Sequence, residues 1–570
     1  MKLEKKNNYP WYKQYKVDSI PPHLEYPDSS VYSFIEKGAT RNPNKIAYDY
    51  FGYLTSYKDF IEQIHDCAKS LATLGVSEND IVTICMPNTP AAIITFYATN
   101  MVGAIANMIH PLSSEGEIKT YLKKAKSKVA LVVDFNFEKF HKIRKDVGLK
   151  KIVICSVSVS MPLLTSIGYW FTNGRKIPGA PTSNEVFDWY DFINKGKGYK
   201  KGYMCYRKPE DIAAILYSGG TTGKSKGIEL SNLNFNAIAI QTDNMLGMSD
   251  NESVIAILPN FHGFGLGLCF HTIFYRTGKV VIVPRFTPKS FGDLIRKKRP
   301  TFVVGVPSLF ESFAANPKLK NTDLSFIRFM VSGGDSLSTK LKKRVDEFLK
   351  QHNSTAIIRE GYGLTECVAA CAFSPMTNYK EGTVGLPYPD NVIKIVEINT
   401  TKELDIGLEG EICISGPTVM KGYFKDAKET KLVLKTHDDG KVWLHTGDIG
   451  KLDEDGYLTF VLRLKRMIIT NGYNVYPNAI EKVIDTHPDV SSSTVVGIPD
   501  VKRGQKIKAF VVLKKGVVVT NELKESIKVL CQKNIAGYSL PREYEFKTNL
   551  PKTLVGKIAY RELEKEKNKS

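Results

Sequence analysis

The hydrophobic positions of the chain switch repeatedly between two periods. From about residue 31 to residue 208, a helical spacing over residues 59–74 gives way to an apolar run at 81–86. A helical run at 91–101 follows, then another short apolar run at 129–133. Runs of this length alternating with helical segments predict an α/β domain with a largely parallel sheet. The alternation resumes after residue 217, with strand-like runs at 280–283, 302–306 and 329–331. From 384 to 458 it becomes a series of short, turn-punctuated strands, which predicts a small all-β, barrel-like subdomain. Beyond residue 463 the pattern is that of a compact α+β unit with helices over 477–486 and 521–533, and a basic tail at 561–570 that frays.

Two apolar stretches need separate treatment. Residues 253–275 are broken by Pro259, Asn260 and His262, so they read as a buried core segment and not a membrane span. Residues 161–171 are apolar and aromatic and precede Arg175 and Lys176. Aromatics beside cations suit a peripheral lipid contact through 161–176, and equally a hydrophobic flap over the domain surface.

A length of 570 residues exceeds what one core supports, so two or more domains are expected. At 42% hydrophobic and 24% charged residues the chain is neither disordered nor fibrous. The net charge of +20 would suit acidic partners such as nucleotides, anionic lipid or nucleic acid, though a solvated lysine-rich surface accounts for most of it. The lysines are scattered and no nucleic-acid-binding signature accompanies them, so no nucleic acid is expected as a partner. Nine cysteines, without metal-ligand spacing, read as free thiols of a reducing compartment. The first residues lack a secretory apolar region, so a cytoplasmic protein is expected.

The first chemical motif follows the apolar run 212–216. Tyr217-Ser218-Gly219-Gly220-Thr221-Thr222-Gly223-Lys224-Ser225-Lys226-Gly227 mixes glycines with hydroxyl and ammonium groups, so backbone N–H groups and side chains can converge on an anion. It misses the Walker spacing by one residue. Glu360-Gly361-Tyr362-Gly363-Leu364-Thr365-Glu366 offers glycines around an aromatic ring, against which a planar base could lie. It also carries a hydroxyl donor and a carboxylate of the kind that binds Mg²⁺. In Leu444-His445-Thr446-Gly447-Asp448, read as a strand end, Asp448 could accept from ribose hydroxyls. Arg463-Leu464-Lys465-Arg466 and Pro551-Lys552-Thr553-Leu554-Val555-Gly556-Lys557 add cations. Read singly, each is a solvated charge or a turn.

Taken together and in order, these motifs resemble those of the adenylate-forming superfamily over roughly residues 31–563. Gly416-Pro417-Thr418-Val419-Met420-Lys421-Gly422-Tyr423 and Asn471-Gly472-Tyr473-Asn474-Val475-Tyr476-Pro477-Asn478 are similar to its bacterial long-chain fatty acyl-CoA synthetases. The resemblance implies an N-terminal domain, 1–464, of two α/β subdomains plus a small β-barrel, and a mobile α+β C-terminal domain, 465–570. It implies a ligase that joins a carboxylic acid, chiefly a medium- or long-chain fatty acid, to CoA through an acyl adenylate, using ATP and Mg²⁺. Ligases for aryl or sterol acids and enzymes that load a carrier protein are the alternatives.

The implied roles are specific. Ser218, Thr221, Thr222 and Lys226 would hold the triphosphate, Thr365 the α-phosphate, and Glu366 with Thr221 the Mg²⁺. Gly333, Gly334, Asp335, Glu360, Gly361 and Tyr362 would shape the adenine slot, while Asp448 and Arg463 would hold the ribose. Lys557 would bridge carboxylate and α-phosphate, Lys465 would be the hinge, and Gly472 would make room for the pantetheine arm. His262 would orient or gate the acyl carbonyl, with Gly263, Gly265 and Gly267 leaving space for an apolar substrate beside Phe264, Val306 and Pro307. Leu462 and Arg466 depart from the residues usual beside that hinge.

Overall fold

The computed structural model describes residues 9–172, 174, 183–217, 225–285, 287–471, 473–500, 503–552 and 558–565. Two large sheets carry most of the chain. The first runs, edge to edge, Leu386–Pro387, Ala370–Phe373, Ile358–Gly363, Phe329–Gly333, Phe302–Gly305, Ser253–Ala256, Lys279–Ile282, Ile46–Tyr50, Tyr53–Ser56. Its interior pairs are parallel, and antiparallel strands close both ends. The second runs Gly422–Tyr423, Gly227–Ser231, Ile212–Tyr217, Ile105–Met108, Ile81–Cys85, Val129–Val133, Lys151–Cys155, Val186–Asp188, and is parallel from Ile212–Tyr217 onward. These are the two α/β units that the alternating pattern predicts.

The helix Pro90–Met101 shows why such a fold needs apolar helices. Thr89 caps it, its side chain accepting from the Ala92 N–H, and Pro90 occupies the first turn, where no donor is lost. Every residue from Pro90 to Met101 is buried, so the helix has no polar face to display. Asn100, also buried, donates through Nδ2 to Asn232 Oδ1 at 2.8 Å, while its own Oδ1 accepts the Tyr32 N–H. Such pairing offsets the cost of dehydrating amides.

Where the sequence predicts a barrel-like all-β subdomain, the described residues form a five-stranded antiparallel sheet whose pairings do not close into a ring. Val392–Val396, Gly410–Ser415, Val442–Leu452 and Leu434–Thr436 follow one another, and Leu458–Arg463 also pairs with Val442–Leu452. A fourth sheet of Tyr473–Val475, Ile468–Thr470, Gly504–Leu513, Val490–Asp500 and Glu543–Lys547 carries the C-terminal α+β unit, with helices Pro477–Asp485 and Asn521–Asn534.

The stretch at 253–275 is buried, as expected. It forms a strand, Ser253–Ala256, and then a π-helix, Phe264–Thr272, in which the Thr272 hydroxyl donates to the Gly267 carbonyl five residues back. Gly263 and Gly265 are required there by close approach. A Cβ at Gly263 would land on the Val368 carbonyl oxygen, and one at Gly265 on that of Pro259. These glycines therefore do not open space for a substrate. The chain's own backbone fills it.

Candidate active site

Of the described candidates, Gly333, Gly334, Asp335, Glu360, Gly361 and Tyr362 gather where strands of the first sheet end. Phe329–Gly333 and Ile358–Gly363 are parallel neighbours with Gly333 opposite Gly361, and the chain leaves the first of them through Gly334 at φ 80°. In open α/β sheets the crevice beyond such carboxyl ends is the usual ligand position. Beside it, the Leu337 N–H donates to Glu360 Oε1 at 3.1 Å, and the Asp335 carboxylate accepts the N–H of Ser336 at 2.9 Å. Burial raises the Glu360 carboxyl to about 7, with Asp335 adding to the rise.

From the same strand the buried Tyr362 reaches the small sheet, where its hydroxyl donates to Asp448 Oδ2 at 2.8 Å. Arg463 stands opposite Asp448 on the adjacent strand, with Nε 3.2 Å from Oδ1. The sequence predicts a strand end at Asp448. It lies instead within the long strand Val442–Leu452, at an irregularity in the pairing with Gly410–Ser415. Gly447 takes φ 68° there, and its N–H donates to Glu411 Oε1 at 3.0 Å. A residue with a Cβ would pay steric strain at that φ.

A second group surrounds Glu366. Its Oε1 accepts the Tyr423 hydroxyl at 3.0 Å, and its backbone carbonyl accepts the Met420 N–H. Tyr423 is brought there by the two-residue strand Gly422–Tyr423, which pairs with Gly227–Ser231 just after the glycine-rich loop. Lys226, at the end of that loop, lies 4.5 Å above the Tyr423 ring and 2.5 Å from Glu429 Oε2. Lys465 is close enough to Lys226 and Arg463 that, after burial, their charges depress its ammonium. An anion among these cations would relieve that repulsion.

His262 meets Thr365. The Phe264 N–H donates to His262 Nδ1 at 3.3 Å, which leaves the proton on Nε2, and Nε2 lies 3.5 Å from the Thr365 hydroxyl. Three residues on, Val368 adopts φ 63° and ψ −63°, with the Ala369 N–H bonded to the Cys367 carbonyl. This is a strained γ-turn at a β-branched residue, against which Gly263 and Gly267 pack without room for a Cβ.

Ser218, Thr221, Thr222, Gly472 and Lys557 lie outside the described residues. Nothing in the sequence assigns a role to Tyr423 or Glu429, although Tyr423 ends the Gly416–Tyr423 motif. A contact across 57 residues, like that of Tyr423 with Glu366, leaves no local periodic signal.

The sequence matches the family described as AMP-binding enzyme over residues 35–424, and the AMP-binding enzyme C-terminal domain over residues 479–557. It is 32% identical over 577 residues to a long-chain-fatty-acid–CoA ligase of Bacillus subtilis (strain 168), covering 98% of each chain. It is 31% identical over 581 residues to one of Salmonella typhimurium, again with 98% of each covered. Among solved structures, an ATP-bound RpMatB–BxBclM chimera superposes with a TM-score of 0.82 at 25% identity, covering 94% of this chain and 98% of that one. With more than half its length in the family match and the adenylate-forming motifs in order, the chain belongs to the AMP-binding enzyme family and is an AMP-forming acid–thiol ligase.

Proposed function

We propose that this chain is a fatty acyl-CoA synthetase, activating a medium- or long-chain fatty acid with ATP and passing it to CoA. The observation that carries the reading is the convergence of Asp448, held between Tyr362 and Arg463, with Glu366, held beside Tyr423 and Lys226. The full-length likeness to ligases named for long-chain fatty acids supports the choice of acid.

A carboxylate is a poor electrophile. The reaction therefore lets it attack the α-phosphorus of ATP, releasing pyrophosphate and leaving an acyl adenylate whose carbonyl the CoA thiol attacks next, with AMP departing. The protein's work is positioning and electrostatic stabilisation. In this reading Asp448 accepts from the ribose hydroxyls, with Tyr362 and Arg463 fixing its carboxylate. Ser218, Thr221, Thr222 and Lys226 hold the phosphates. The Nε2–H of His262 and the hydroxyl of Thr365 face the reacting centre. Lys557 bridges the substrate carboxylate and the α-phosphate in the first step. Rotation of residues 465–570 about Lys465 then replaces that lysine with Gly472, where a pantetheine arm can pass. The Glu366 carboxylate, a hard oxygen ligand with the Tyr423 hydroxyl on one of its oxygens, fits Mg²⁺, and Thr221 would be its companion. When bound, that ion supplies charge neutralisation on the phosphates.

A peripheral membrane contact completes the proposal. No described helix is long and apolar enough to cross a membrane. In Leu163–Thr172, however, Leu163, Leu164, Ile167 and Phe171 are 76%, 84%, 46% and 56% exposed, and spacings of four bring three of them onto one face. Such a face suits insertion into the headgroup boundary, where a fatty acid would be collected. Arg175 and Lys176 lie outside the described residues.

The deciding experiment measures CoA-dependent AMP release across saturated acids of graded length, with aryl and sterol acids and a carrier protein as comparators. Highest kcat/KM on a medium- or long-chain acid with CoA is expected. Preference for an aryl or sterol acid, or for the carrier protein, would overturn the reading.

A further inference from the structure

The small antiparallel sheet holds a cluster that the ligase reaction does not use. Cys413 and His445 are register partners on Gly410–Ser415 and Val442–Leu452, and His437 follows Leu434–Thr436, the strand on the other side of Val442–Leu452. All three residues are buried, and one ligand atom from each, a sulfur and two ring nitrogens, lies within 4.8 Å of the others. The spacing of cysteines along the chain gave no hint of this, because the three side chains come from different strands.

The hydrogen bonds define the protonation of the cluster. Glu411, also buried, has its Oε2 2.8 Å from His445 Nδ1, so that nitrogen carries the proton and His445 Nε2 presents its lone pair. His437 Nε2 lies 2.9 Å from that lone pair and must donate to it, which leaves His437 Nδ1 as a bare acceptor. That atom is buried with no hydrogen-bond partner among the described residues. A lone imidazole pair needs no such unsatisfied neighbour. Two neutral imidazoles converging on one point, a thiol beside them, and a carboxylate behind one ring are the parts of a metal centre with its outer support.

We propose that Cys413, His437 and His445 bind a thiophilic divalent metal, Zn²⁺ by its chemistry, with Glu411 orienting His445 from behind. Zn–N bonds of about 2.0–2.1 Å put two ligand nitrogens about 3.3 Å apart in a tetrahedral site, so the imidazoles, 2.9 Å apart here, separate slightly while Cys413 Sγ takes a Zn–S bond of about 2.3 Å, with a fourth position for water. Charge balances: the ion faces the thiolate and the Glu411 carboxylate, while Lys394 has its own partner in Asp439 at 3.5 Å. On binding, the Cys413 thiol gives up its proton to solvent as the sulfur–metal bond forms. The His437 proton moves from Nε2 to Nδ1, so one proton leaves per ion. The site is a clip for the strand irregularity beside Asp448, because the carboxylate that steadies His445 also accepts the Gly447 N–H through its other oxygen. It does not depend on which acid the enzyme activates.

The test uses the full chain, stripped with a chelator and titrated with Co²⁺ and Zn²⁺ in Mg²⁺-containing buffer. About one tight equivalent of either ion is expected, with release of about one proton and, for Co²⁺, a thiolate-to-metal charge-transfer band. Zn²⁺ should raise the unfolding midpoint. Cys413→Ser and His437→Gln should each abolish the band and the tight equivalent. In the unsubstituted chain, Zn²⁺ should protect Cys413 from alkylation in mild denaturant, a measurement that needs no variant. Absence of the band and of that protection, or a band unchanged in both variants, would overturn the proposal.

Discussion

The Tyr362 hydroxyl donates to Asp448 Oδ2 at 2.8 Å across 86 residues of sequence and two different sheets. A strand of the first sheet thereby fixes a carboxylate belonging to the small sheet. Asp448 is 2% exposed, and its other oxygen faces Arg463 Nε. A buried carboxylate so held keeps one orientation, and its charge is compensated by Arg463.

Replacing Tyr362 by Phe keeps the ring and removes only that donor. A hydrogen bond to a charged group contributes about 1.5–3 kcal/mol, so kcat/KM for ATP should fall roughly 10- to 100-fold. The loss should appear in KM for ATP, with KM for the acid little changed. An unaltered ATP dependence would dissociate Tyr362 from nucleotide binding.

Lys465 sits in the single turn Leu464–Arg466 by which the chain passes from the small sheet to the C-terminal one. The neighbouring Arg466 is fastened to helix Pro477–Asp485, 2.5 Å from Glu481 and 2.9 Å from Asn478 Oδ1. Arg466, which departs from the residue usual beside that hinge, thus belongs to the C-terminal side of any rotation. Lys465→Pro, by locking φ, should leave acid-dependent pyrophosphate exchange intact and depress thioester formation by at least about 10-fold. Lys557→Ala should give the opposite pattern. Equal loss in both half-reactions for Lys465→Pro would argue against a hinge.

Gly263 is needed for contact, not for conformation. An alanine methyl there would collide with the Val368 carbonyl, a backbone atom that cannot rotate aside, at the γ-turn after Thr365. Gly263→Ala should therefore cost about 1–3 kcal/mol or more. Gly116, on helix Glu115–Ala125 with open space around it, is the control: Gly116→Ala should stabilise by about 0.4–1 kcal/mol. Denaturant midpoints decide, and parity between the two variants would remove the argument.

Leu163 and Leu164 are exposed, so Leu163→Glu with Leu164→Glu should leave the unfolding midpoint nearly unchanged. Burying a leucine contributes about 1.5–3 kcal/mol, so sedimentation with anionic phospholipid vesicles should weaken by at least about 10-fold. Unaltered sedimentation would favour the flap reading of this segment.

What the sequence revealed and what it concealed divide along a physical line. Elements such as Val129–Val133 and Pro90–Met101 were legible because their apolar runs are local. The placement of Glu366 beside Tyr423, and the crossing of Gly263 with Val368, were not, because both depend on segments that meet only after the sheets assemble. For that reason the Gly263-Phe264-Gly265 pattern suggests substrate space where the chain's own backbone approaches. Glycine tells of close approach, but the pattern does not say whether a ligand or the chain itself approaches. Likewise, the position of Asp448 within a strand, and not at its end, follows from the irregularity that Gly447 permits.

The Glu360 carboxyl gives the fold a pH signature of definite sign. Burial raises it from an ordinary value of 4.5 to about 7. Below the ordinary value both folded and unfolded chains hold the proton, and the group contributes nothing to the difference. As pH rises through that value the unfolded chain ionises while the folded chain keeps the proton, so stability falls until the folded carboxyl ionises as well. The cost is thus incurred between about pH 4.5 and 7 and persists above. Glu360→Gln retains an oxygen to accept the Leu337 N–H and has no proton to lose. It should unfold at higher denaturant than the parent at pH 8 and nearly level with it at pH 4.5. A difference of the same size at both pH values would mean that the substitution acts through packing and not through ionisation.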